Sequence, residues 1–138
     1  IKQMNSHILK KEYIAIVSGI LNDKSGTINL PISRKDGSII ERCVFEDGQT
    51  AITDYSVIKE LDNMSVVKCV LQTGRTHQIR VHFSAIGHPL IGDFLYSSKS
   101  DFINRQALHS YHISFIHPIS NKIINIYCEL PDDMKKIG

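Results

Sequence analysis

The chain has 138 residues, 42% of them hydrophobic, and a formal net charge of +2. That length supports one domain, or part of one, with a core of its own, and the near-even charge balance is weak ground for a polyanionic partner. Cys43, Cys69 and Cys128 are odd in number and widely spaced, which argues against a disulfide scaffold or a cysteine zinc site and points to a reducing, cytoplasmic compartment.

No apolar run approaches membrane-spanning length and no signal-peptide pattern opens the sequence. The sequence starts at Ile1, which is not the small residue that normally follows a removed methionine, so the start reads as artificial or processed. Residues 1–10 read as a frayed helix end. "EYIAIVSG", Glu12 to Gly19, alternates, is rich in β-formers and ends at a glycine: a strand. Turn signals at Asn22-Asp23, Ser25-Gly26 and Asp36-Gly37 surround a short extended piece at Thr27 to Leu30, which Pro31 marks as an edge. "QTAITDYSVIKEL" reads as a strand with Ala51, Thr53, Tyr55 and Val57 on one face. After Asp62-Asn63, "MSVVKCVLQT" completes a hairpin.

From Thr76 to Ile86 the pattern is helical: Ile79, Phe83 and Ile86 share one stripe, and His77, Arg80 and Ser84 share another. Ile79, Val81 and Phe83 also alternate as a strand would. Gly87 as a left-handed cap, with Pro89 beyond it, favours the helix. "HSYHISFIH" and "KIINIYCEL" form a last hairpin across Ser120-Asn121. No repeat or linker divides the chain. The predicted class is α+β, a mixed and mostly antiparallel sheet with flanking helices.

The densest chemistry lies in "QTGRTHQIRVHFSAIGHPLIGDFLY", Gln72 to Tyr96. His77 and His82 are five apart, not the four of a zinc helix, so no metal is expected. There is no GxSxG elbow for a serine triad and no GxxxxGK[ST] nucleotide loop. Arg80 on a packed helix is a fixed guanidinium, suited to orienting a carboxylate or phosphate by a two-pronged contact. Arg75 and the helix N-terminus add favourable potential for an anion. A structural salt bridge for Arg80 and a solvated Arg75 explain the same pattern equally well. Tyr13, behind Lys10 and Lys11, reads first as a packing residue of its strand. The competing reading stacks it on a base while the lysines meet phosphates.

Together these segments resemble the RluA-like family of RNA pseudouridine synthases. The resemblance rests on "TGRTHQIRVHFSAIGHPLIGDFLY" and continues through "KKEYIAIVSG", "GTINLPISR", "GQTAITDYSVI" and "ALHSYHISFIHP", in order along nearly the whole chain. It implies a catalytic-domain fold of that family. It also implies a cofactor-free, metal-free reaction that detaches a uracil from its ribose, turns it over and rejoins it through carbon. The partner implied is ribosomal large-subunit RNA or transfer RNA. Arg80 then matches the arginine that pairs with the reacting aspartate, Tyr13 the tyrosine against the uracil ring, and Leu108 an apolar residue lining that pocket. Lys10, Lys11, Arg75 and His77 are candidate RNA contacts, and binding through them should weaken as salt rises. Gly74, Gly87 and Asp93 read as framework.

The resemblance also shows a gap. The family's aspartate lies in an arginine-leucine-aspartate segment upstream of the tyrosine, and the 138 residues contain no such segment. The expectation is the C-terminal portion of a catalytic domain, without a nucleophile or the small N-terminal RNA-binding domain frequent in the family, inactive alone and prone to pair through an exposed sheet edge. A non-catalytic RNA-binding protein descended from a synthase is the alternative. A histidine metalloenzyme ranks third.

Overall fold

The computed structural model describes residues 8–34, 42–44, 48–75, 77–93, 95–96, 103 and 105–135. Six strands form the main sheet: β1 (Ile8–Ser18), β2 (Ser25–Asn29), β5 (Ile52–Leu61), β6 (Met64–Leu71), β7 (Leu108–Ile116) and β8 (Ile123–Tyr127). Their order is β2-β5-β6-β1-β7-β8, and every pairing is antiparallel. A two-stranded ribbon, β3 (Ile32–Arg34) with β4 (Arg42–Val44), stands apart. The helices among the described residues are α1 (Gln78–Ala85) and α2 (Asp132–Lys135).

Local chemistry accounts for the main turns. The β5–β6 hairpin closes over Asp62-Asn63, with Asn63 in the left-handed region at φ 55°. Asn121 does the same at φ 56° between β7 and β8. Asparagine tolerates this conformation because its short amide bonds locally. Helix α1 ends as its sequence predicts, with Gly87 at φ 87°.

The sheet separates two apolar layers. Alternation along β1 sends Ala15 and Val17 to one face, where they meet Val67, Cys69, Leu21, Ile28 and the α1 anchors Ile79 and Phe83. Ile14 and Ile16 face the other way, against Val66, Ile103, Ala107 and Met134 of α2. Phe83 is fully buried and Ile79 is 4% exposed, so α1 is fastened to the sheet by two side chains one turn apart.

Two sequence readings need correction. Residues 8–10 belong to β1, so the opening is not a helix end where it is described; residues 1–7 lie outside the described residues. The first described turn of α1 begins at Gln78, because His77 is left-handed at φ 57°. The β3–β4 ribbon and α2 carry no expectation from the sequence, each element having only three or four residues. The mostly antiparallel sheet expected from the sequence is found, with every pairing antiparallel among the described strands.

Candidate functional site

Helix α1 is seated by Gln78, a residue that the helix pattern alone does not single out. Its Nε2 donates to the Ile52 carbonyl and to the Thr53 hydroxyl, each at 2.9 Å, and its Oε1 accepts from the Thr73 hydroxyl and the Arg75 amide. His82, one turn on, donates to the Leu30 carbonyl at 2.8 Å. Both residues therefore leave one flank of α1 toward β5 and the end of β2. At about 100° per residue, Arg80 leaves from the opposite flank.

There Arg80 meets Asp93. Nε reaches Oδ2 at 2.9 Å and Nη2 reaches Oδ1 at 2.8 Å, a two-pronged contact with Asp93 fully buried and the Arg80 side chain 11% exposed. The guanidinium carbon also lies 5.1 Å from the centroid of the Tyr96 ring, close enough for a cation–π contact. The structural salt bridge weighed in the sequence is real, yet it does not occupy the whole group. The pairing uses the Nε–Nη2 edge and leaves Nη1 outside it.

Asp93 is itself tied to the strands that carry the other candidates. Two residues before it, the Ile91 amide donates to the Ile16 carbonyl of β1, and the Ile91 carbonyl accepts from the Ala107 amide, both at 2.9 Å. Ala107 precedes Leu108, which pairs with Ala15 of β1. Tyr13 and Leu108 pack against the cluster that contains Ile79, the neighbour of Arg80 on α1. Tyr13 and Leu108 thus share one layer, on which the helix that carries Arg80 is seated through Ile79. Burial pushes the Tyr13 phenol above the ordinary tyrosine range, so the hydroxyl keeps its proton at neutral pH.

The remaining candidates divide. Lys11 alternates onto the Tyr13 face of β1. Lys10 falls on the opposite face, 3.4 Å from the Glu12 carboxylate, so the two lysines do not act as a pair. Arg75 is not simply solvated: its Nε donates to the Thr50 carbonyl at 2.7 Å. His77 Nδ1 and the Tyr96 hydroxyl are 2.6 Å apart, which ties His77 to the aromatic ring beside Arg80. Among the described residues, no group of three or more His, Cys, Asp or Glu is placed to hold a metal. A separate cleft of about 520 Å³ opens beside β2 and is lined by Asp23, Tyr55, Ile86 and His88 among others. Among the described residues its lining includes none of the candidates and no lysine or arginine.

Residues 1–85 match the family model described as RNA pseudouridylate synthase. This chain belongs to that family. It is 48% identical over 130 residues to the uncharacterized RNA pseudouridine synthase YjbO of Bacillus subtilis, covering 94% of this chain and 46% of that protein. It is 39% identical to ribosomal large subunit pseudouridine synthase D of Zymomonas mobilis, with coverage of 96% and 45%. Among solved structures it resembles human RNA pseudouridylate synthase domain containing 1, at a TM-score of 0.76 and 28% identity, over 87% of this chain and 54% of that one. The chain therefore spans about half the length of the synthases it matches. Asp93, which reads as framework in the sequence, is the residue that the structure adds beside Arg80. Its glycine-aspartate context was visible, but its pairing with Arg80 across 13 positions depends on the intervening turn.

Proposed function

We propose that these residues form the arginine–tyrosine–leucine wall of a site that isomerises uridine to pseudouridine in ribosomal large-subunit or transfer RNA. The carrying observation is the Arg80–Asp93 pair: a guanidinium locked on its Nε–Nη2 edge, with Nη1 left to orient a second carboxylate. A nucleophilic carboxylate must be ionised, and an adjacent guanidinium favours that form while fixing its direction. Tyr13 holds the uracil ring, and its protonated hydroxyl serves the proton exchange required when the ring changes its point of attachment from nitrogen to carbon. Leu108 supplies apolar wall. Lys11, Arg75 and His77 contact the RNA backbone, with Lys10 more remote. Turning the nucleotide out of its stack costs a few kcal/mol, which those contacts offset.

None of the aspartates among the 138 residues has the arginine-leucine context of the nucleophile, so we expect the chain alone to form no pseudouridine. The test compares the chain with a longer enzyme bearing the arginine-leucine-aspartate segment. In that enzyme Arg80→Ala should lower turnover by about a hundredfold or more, in line with the loss of a preorganised electrostatic donor, and change RNA affinity far less. Turnover by the 138 residues themselves would refute the reading. One observation favours a second reading, a non-catalytic RNA binder: Arg80 already has a carboxylate partner within the chain, Asp93. An Arg80→Ala effect confined to RNA affinity would select it.

A further inference from the structure

On the sheet face opposite Tyr13 lies a buried polar cluster that the proposed reaction does not use. Glu12 and His112 are each 7% exposed. His112 Nδ1 is 2.7 Å from Glu12 Oε1, and its Nε2 is 3.0 Å from Asn125 Oδ1. The imidazole stacks on Tyr127 at 4.2 Å between centroids and 5° between planes. Lys68 lies 3.4 Å from Glu12 Oε2.

The cluster sits where the β1–β7 register breaks. Glu12 faces His112, but Tyr13 faces Ser110, so Tyr111 has no partner on β1. This is a β-bulge with the extra residue on β7. The Tyr111 carbonyl is met by the Cys128 amide at 2.9 Å, and its ring stands edge-on to Tyr127 at 5.8 Å. The bulge has a direct consequence for the proposed site. In an unbroken register Ala15 would face His109. With the bulge it faces Leu108, and Leu108 joins the Tyr13 layer. A slip of one residue turns every following side chain to the other face.

We infer that Glu12 and His112 are positioning residues: their buried contact pins the bulge that sets Leu108, rather than His109, beside Tyr13. Glu12 bonds His112, His112 and Tyr111 hold Tyr127 between them, and Tyr127 anchors the neighbouring strand. The inference rests on the reading of Tyr13 and Leu108 as site wall, and its test separates the two.

The experiment replaces Glu12 by Val, which suits a strand but cannot bond His112, and by Gln, which can still accept from it. The measurement is the strand register by nuclear Overhauser contacts between α-protons, together with the ionisation of Tyr13. In the parent chain Tyr13 should contact Ser110, and its phenol should ionise above the ordinary tyrosine range. Glu12→Val should shift the β7 partners of Tyr13 and Ala15 by one residue and return Tyr13 toward ordinary ionisation. Glu12→Gln should restore the parent pattern. Should Glu12→Val fail to fold, His112→Phe, which keeps the stack on Tyr127 and loses both hydrogen bonds, gives the same readout. An unchanged register in whichever variant folds overturns the inference and leaves the functional reading standing. In the longer enzyme a register shift should lower kcat by roughly a hundredfold with little change in KM. A shifted register with unchanged kcat would instead overturn the role assigned to Tyr13 and Leu108, and the positioning role with it.

Discussion

His82 shows how one buried side chain ties the helix to acid sensitivity. It is fully buried. Because a carbonyl only accepts, its contact with Leu30 requires a proton on Nε2, while Nδ1 takes the Thr53 hydroxyl at 2.9 Å. That hydroxyl already accepts from Gln78, so a second proton on the ring would meet a donor already engaged. Burial pulls His82 below the ordinary histidine value, against the opposing effect of the Leu30 carbonyl. The folded value is below the unfolded one, so the contribution to stability is complete above about pH 6.5 and is lost as pH falls through the folded value. The melting temperature should therefore fall between about pH 7 and pH 5. His82→Gln, which can still donate to Leu30 and accept from Thr53, should flatten that slope. Glu12 and Asp54 act lower, because both carboxyls are held below their ordinary range. For Glu12, burial pushes upward and is outweighed by His112, Lys10 and Lys68; for Asp54, the hydroxyl of Thr27 and the amide of Gln72 are responsible. A parent melting temperature that stays level down to about pH 5 would contradict the argument.

At the scale of elements, two glycines with the same backbone sign make different demands. Gly87 has φ +87° and no atom within 4 Å of the position a Cβ would take, whereas at Gly92, φ +78°, that Cβ would lie 2.1 Å from the Arg105 carbonyl oxygen. Gly87→Ala should cost only the left-handed strain, about 1–2 kcal/mol. Gly92→Ala adds a backbone collision and displaces Asp93, so it should cost more and loosen Arg80. Denaturant midpoints of the two variants decide this, and equal losses would mean that the Gly92 turn yields freely. The same elements show what a sequence can and cannot disclose. The hairpins and α1 are legible because each has its own periodicity and its own turn residue, Asn63, Asn121 or Gly87. Arg80 is legible as a residue on the non-core stripe of that helix. The β3–β4 ribbon is too short for a period to register. The Glu12–His112 bulge is invisible for another reason: strand alternation continues on both sides of Tyr111, and only the pairing reveals the skipped residue.

Over the whole molecule, the two ends of the sheet are unlike. At one end, β2 exposes Ser25, Gly26 and Asn29 while Ile28 is buried, and Pro31 follows, features that discourage further pairing. At the other, β8 presents an edge that is unpaired among the described residues, with Ile123 62%, Ile126 50% and Tyr127 63% exposed. Ile123 and Tyr127 lie on one face and Ile126 on the other, so a strand added at this edge would bury apolar surface on both sides as well as satisfying its backbone. The isolated 138 residues should therefore self-associate in a concentration-dependent way. Ile126→Lys places a charge on that edge without touching the His112 stack, and it should return the chain to a monomer with its melting temperature little changed. Sedimentation velocity over a wide concentration range distinguishes the cases. A parent chain that sediments as a monomer throughout would mean that the β8 edge is already protected. The matching synthases are about twice as long as this chain, and a chain extended to that length with the arginine-leucine-aspartate segment should associate less than the 138 residues do. Equal association by both would place the contact somewhere other than β8.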